Sequence, residues 1–151
     1  TDAQLAKAER LAREDGFTQV EFRRGRIEEP VVDPGTLDCV ISNGVINLSP
    51  DKPAVFAEAA RALRPGGRLA LADIVTAVDL PEGVTCDAAL WAACIGGAVR
   101  RDRYLDAIGA AGLAVAEVRE NTAYRFISGR AEGATRKYVV SSISILARRP
   151  G

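Results

Sequence analysis

The stretch LDCVISNGVINLSPDKPAVFAEAARALRPGGRLALADIV, residues 37–75, decides the fold. Its first part, Leu37–Ser42, carries Cys39, Val40 and Ile41 as a continuous apolar run, which predicts a strand buried on both faces. Ser49-Pro50-Asp51 predicts a helix start, with Ser49 as N-cap, Pro50 in the first position and an acid in the first turn. Val55, Phe56, Ala59 and Leu63 then recur at helical spacing. Arg64-Pro65-Gly66-Gly67 predicts the helix stop, and Leu69–Val75 a second strand. Strand, helix and strand with short connections make a βαβ unit, which implies a parallel sheet and an α/β fold.

Working toward the N-terminus, Thr1–Asp15 predicts a helix: Thr1 and Gln4 have capping-box spacing and Leu5, Ala8, Leu11 and Ala12 form a stripe. Residues 18–23 alternate with period two around Val20 and Phe22 and predict a short strand, followed by a turn at Asp33-Pro34-Gly35. Toward the C-terminus, residues 85–99 predict an apolar helix. Asp102 predicts the cap of another, which carries Leu105 and Ile108 and closes at Gly112. Strands are expected at 113–118, at an edge over Thr122–Ile127, and at 137–146, with a polar loop at 129–134. No linker splits the chain, so residues 1–151 read as a single domain.

Composition excludes several functions. Lys+Arg and Asp+Glu both number 20, so the formal charge is zero, which argues against an electrostatic nucleic-acid binder. There is no His, which removes Ser-His-Asp and Cys-His catalysis and His metal sites. No apolar run approaches the ~20 residues of a membrane span. The polar start TDAQLAKAERLARED and the three unpatterned Cys read as a chain without a leader, carrying reduced thiols in the cytoplasm.

Three segments carry a family resemblance. Residues 37–52 resemble the fourth-strand motif of class I S-adenosylmethionine-dependent methyltransferases, 60–75 the following helix-to-strand motif, and GRIEE (25–29) the adenine-side turn. The wording VISNGVINLSPDK, with CIGGA (94–98) downstream, resembles the arsenite methyltransferase family. The resemblance implies a Rossmann-like sheet ordered 3-2-1-4-5-7-6, mostly parallel with an antiparallel C-terminal strand. It also implies S-adenosylmethionine as cofactor. The Gly-rich loop after the first strand of that fold is not in this sequence. The chain thus reads as a truncated methyltransferase sheet with its first two strands missing. Strand 18–23 would then stand about 10–15 Å from strand 37–42. The orphaned edges leave three repairs: a chain that is one fragment of a longer protein, strands from a second chain by swapping or by N-terminal complementation, or strand 18–23 paired directly with strand 37–42 in a contracted sheet; a homo-oligomer is expected.

In open α/β sheets ligands bind outside the carboxyl ends of the strands. On the resemblance, the cofactor residues are Gly25, Ile27, Glu28, Asn43, Gly44 and Val45. Ile27 would pack on the adenine face and Glu28 accept from ribose or adenine, while Asn43 can donate and accept. The alternative is a strand-end turn in which Asn43 holds its own loop. The resemblance also places metalloid-binding Cys at positions 44 and 94. Here Cys94 matches and position 44 is Gly, so either Cys94 meets substrate or it is a small buried residue. Asp73 reads either as a substrate-positioning group or as a solvated strand-end acid. Trp91 and Tyr104 read either as pocket walls or as core. The functions in competition are a methyltransferase, a non-catalytic dimerising or regulatory module, and a small-molecule binding protein.

Overall fold

A computed structural model of the chain describes residues 1–125 and 129–151, with the side chains of 129 and 130 outside that description. Its elements are α1 (Asp2–Glu14), β1 (Leu37–Asn43), a 3-10 turn (Ile46–Leu48), α2 (Lys52–Ala62), β2 (Leu63–Thr76), α3 (Glu82–Thr85), α4 (Ala88–Ala92), α5 (Arg101–Ala110), β3 (Ala114–Glu120), α6 (Gly129–Tyr138) and β4 (Val140–Arg148). The strands form one sheet in the order β1-β2-β4-β3. β1 and β2 are parallel, while β4 runs antiparallel to both β2 and β3. Three strands therefore point one way and the C-terminal strand points against them, in the order expected for the last four strands of the methyltransferase sheet.

The βαβ unit forms for the reasons its sequence suggests, with two shifts. The N-cap of α2 is Asp51, whose side chain accepts from the Ala54 amide at 3.0 Å, and Pro53 occupies its first turn. Ser49 is free of that duty. Arg64-Pro65-Gly66-Gly67 does not separate helix from strand; it lies inside β2. Between Leu37 and Cys39 the pairing jumps from Leu63 to Arg68, so the extra residues bulge from β2 and Gly66 takes φ 76°.

α2 and α5 cover one face of the sheet. Leu69, Leu71, Val75, Ile143 and Ile145 from the strands meet Phe56, Tyr104 and Ile108 from the helices. Phe56 and Tyr104 pack edge to face with centroids 5.2 Å apart. A second cluster joins Ile74, Leu90, Ile95, Ala131, Ala134 and Val140. The opposite face carries an open trough past Ile41, Ala70, Ala72 and Leu146, and Ile41 at the sheet edge is 80% exposed.

Five expectations are corrected. Residues 18–23 form no strand: Phe17 and Val20 are exposed, because period-two alternation makes a strand only beside a partner and this segment has none. The helix at 85–99 breaks into α3 and α4, since Asp87 turns its carboxylate onto the amides of Ala89 and Leu90 and restarts the chain. The polar loop at 129–134 is part of α6, held by Ala131 and Ala134, with Tyr138 packed on the same cluster one turn on. The terminal strand accordingly starts at Val140, not 137. Of the edge strand at 122–127, Thr122–Arg125 are turn and irregular chain, and 126–127 lie outside the described residues. Among the described residues no helix is long and apolar enough to cross a membrane.

Candidate functional site

At the carboxyl end of β1 the chain must turn sharply from the sheet toward α2. Gly44 makes that turn at φ 65°, a conformation costly for any residue with a Cβ, while its amide donates to Ala72 of β2 at 2.9 Å. Val45 and the 3-10 turn follow. Beside them lies a groove of about 350 Å³, whose walls are Ile27, Val31, Val40, Asn43, Val45 and Val55, among others. Its lining is overwhelmingly apolar, with Ser42, Asn43, Glu29 and Glu58 as its polar residues, the Glu58 carboxylate being bound to Arg61. An apolar slot with a few polar groups at a strand's carboxyl end suits a flat heterocycle carrying donors on one edge.

The structure brings together Ile27, Asn43, Gly44 and Val45 of the cofactor residues expected from the sequence. Gly25 and Glu28 serve the site differently from that expectation. A Cβ at Gly25 would stand 2.3 Å from Val31 Cγ1, so this glycine lets the loop close on itself. Glu28 does not line the groove. Its carboxylate accepts the Ser49 hydroxyl, and that bond holds its pKa below the ordinary 4.5. The neighbouring Glu29 faces the groove instead. Sequence spacing could not tell the two acids apart, because the loop is irregular and has no period.

Asp73 is not a solvated strand-end acid. It is 3% exposed, inside β2, and lines none of the cavities described here. Its Oδ2 accepts from the Asn47 amide and the Tyr104 hydroxyl, both at 3.1 Å, and its Oδ1 from the Ile74 amide at 2.9 Å. Burial pushes its pKa above the ordinary 3.8, against the pull of these donors and of Lys52. Lys52 is itself buried and its pKa is lowered, first by burial; its Nζ donates to the Ser49 carbonyl at 3.2 Å. Tyr104, pushed far up by burial, belongs to the core.

Cys94 stands at φ 61° with its Sγ donating to the Gly44 carbonyl at 3.1 Å. Burial, and then the charge of Asp73, raise its pKa, so it is a protonated thiol near neutrality. Asn47 fastens this corner: its Nδ2 donates to Ile74 O at 2.6 Å and to Cys94 O at 3.4 Å. Trp91 borders a separate shallow hollow with Leu48 and Cys86. Gly97 lies so near Asn47 that a Cβ would meet its carbonyl oxygen at 1.8 Å. Asn47, Lys52 and Glu29 were not singled out by the sequence, and Ser49 was read only as a helix cap. The signal was polar residues repeated through an otherwise apolar turn. Among the described residues no group of His, Cys, Asp or Glu could hold a metal ion.

A half-open α/β sheet, with an apolar groove at the end of its first parallel strand, defines a nucleotide-type cofactor domain of the methyltransferase kind. Comparison with known proteins agrees: the profile of a family described as "Methyltransferase domain" matches residues 1–127, and the chain belongs to that family. It is similar to the arsenite methyltransferase of Halobacterium salinarum, 36% identical over 154 residues, 99% of this chain and 39% of that protein. It is also similar to the arsenite methyltransferase of Aquipseudomonas alcaligenes, 42% identical over 87 residues, 56% of this chain and 25% of that protein. The crystal structure of an arsenic(III) S-adenosylmethionine methyltransferase from Chlamydomonas reinhardtii superposes with a TM-score of 0.75 at 29% identity, covering 100% of this chain and 53% of that one. The chain thus spans less than half the length of the curated relatives it matches.

Proposed function

We propose that this chain is part of an S-adenosylmethionine-dependent methyltransferase whose acceptor is a soft, thiol-seeking centre of the trivalent arsenic type. The observation that carries this reading is the juxtaposition of two places: the groove beside Val45 and the Cys94 thiol on the Gly44 carbonyl meet at one turn. The groove fits the adenine end of the cofactor, with Ile27 and Val45 as apolar walls and Asn43 and Glu29 for the polar edge. When bound, the cofactor would supply a methyl group on a sulfonium; the acceptor's lone pair would take the methyl carbon and the sulfur would leave as the neutral thioether of S-adenosylhomocysteine, which calls for no acid–base pair. Cys94 would hold the acceptor at the far side of Gly44. A reducing, cytoplasmic setting suits three free thiols.

The test is transfer of labelled methyl from S-adenosylmethionine to a trivalent arsenical. Transfer by a protein containing these residues, lost in Cys94→Ser, supports the reading. Equal transfer by Cys94→Ser contradicts the acceptor assignment.

A second reading has its own observation. Among the described residues β1 pairs only with β2, and Ile41 on its outer side is exposed. We propose that further strands complete this edge, from a second copy or from an N-terminal complementing segment, and a degenerate module would use the same edge to dimerise. Light scattering at micromolar concentration decides whether the chain completes it with itself, since a clean monomer contradicts the homo-oligomer.

A further inference from the structure

The groove has two walls from distant parts of the sequence. One, Val45, leaves β1 directly. The other, Ile27, sits on an irregular segment with no strand or helix of its own. Such a wall is only as well placed as its attachments. Near residue 32 the Arg61 guanidinium donates to the Val32 carbonyl, fixing the far end of the segment on α2. At the Ile27 end the attachment to the body is the bond from Ser49 to Glu28.

Ser49 is unusually committed. It is 3% exposed, and its Oγ already accepts from the Asp51 amide at 3.1 Å. A hydroxyl has one proton, and the Asp51 amide occupies a lone pair, so that proton is directed at Glu28. The Ser49 carbonyl is in turn held by buried Lys52. Ser49 therefore does not cap α2, the usual work of a serine in this place; that falls to Asp51.

We infer that Ser49 is a positioning residue for the cofactor's nucleoside half, tying the Ile27 wall to the turn that carries the Val45 wall. This rests on the cofactor reading above. A carboxylate–hydroxyl bond of this kind contributes more than a neutral pair, and its loss lets the wall drift out of register with the base.

The experiment compares the full chain with Ser49→Ala, Ser49→Thr and Glu28→Ala. It reads amide hydrogen exchange and the calorimetric affinity for S-adenosylhomocysteine. Ser49→Ala and Glu28→Ala are expected to speed exchange over residues 25–32, leave β2 and β4 protected, and weaken binding about tenfold. Ser49→Thr, which keeps the hydroxyl, is expected to restore both. Glu28→Ala breaks the bond from its less buried side, so it decides the matter if Ser49→Ala fails to fold. Binding and exchange unchanged by loss of the bond overturn this inference alone. An unsubstituted chain that takes up no ligand overturns it together with the cofactor reading.

Discussion

The thiol of Cys94 donates to the carbonyl oxygen of Gly44 across 3.1 Å, and a Cβ built on Gly44 would stand 3.8 Å from that sulfur. The two positions are one place in space although 50 residues separate them. Gly44→Cys should therefore create a thiol pair. The expected outcome is at least about tenfold tighter 1:1 binding of a monosubstituted trivalent arsenical, abolished by Cys94→Ser. The left-handed backbone at 44 should cost roughly 1–2 kcal/mol of stability. A titration with unfolding controls checks both, and no gain in affinity would separate the two positions.

Asp73 gathers the Asn47 amide and the Tyr104 hydroxyl in the core. Asp73→Ala removes the acceptor of three buried donors, these two and the Ile74 amide, at about 1–3 kcal/mol for each left unpaired. Asp73→Asn keeps an acceptor oxygen and should cost distinctly less. Denaturant unfolding measures the difference, and equal losses would show that the donors are not what Asp73 serves.

Asp73 and Lys52 set a pH signature. Burial raises Asp73 above the ordinary 3.8, so the folded state holds that proton more tightly than the unfolded state. Its contribution to stability therefore falls as pH rises from 3.8 through the raised value. Lys52 is lowered from 10.5, so the unfolded state binds its proton more tightly, and stability rises with pH between the lowered value and 10.5. Relative to the native protein, Asp73→Asn should lose the fall in stability as pH rises from 3.8, and Lys52→Met the rise in stability as pH approaches 10.5. Stability measured across pH checks both, and parallel profiles for either variant would contradict the assignment.

Gly97 has no positive φ to protect, yet a Cβ there would meet the Asn47 carbonyl oxygen at 1.8 Å. Because the obstacle is backbone, Gly97→Ala should cost at least the about 1–3 kcal/mol of ordinary overpacking. Gly133→Ala, where a Cβ meets nothing, should not destabilise. A pair of thermal melts separates them.

The fold was legible where a segment's pattern and its partner agree. Val40 of β1 and the stripe of Val55, Phe56 and Ala59 meet in one core, so local pattern and packing agree there, whereas the expectation of a strand buried on both faces fails at Ile41, 80% exposed on the outer side. Val20 and Phe22 alternate just as well, but alternation is not a partner, and that segment stays outside the sheet. α6 was hidden because Gly129 and Gly133 mark loops by propensity, whereas Ala131 and Ala134 are held by Ile74 from distant β2 and by Val140 at the start of β4. At the site, motif wording located the turn at Asn43–Val45. It could not show which of two adjacent glutamates faces the groove, because the Ser49 hydroxyl decides that across 21 residues.

The central claim is that the groove between Ile27 and Val45 takes the nucleoside half of S-adenosylmethionine. Calorimetric titration of the chain with S-adenosylhomocysteine, repeated on Ile27→Asp, tests it most directly. Saturable binding, competed by adenosine and lost in Ile27→Asp, is expected. No saturable heat at millimolar ligand, or binding that Ile27→Asp leaves intact, would contradict it.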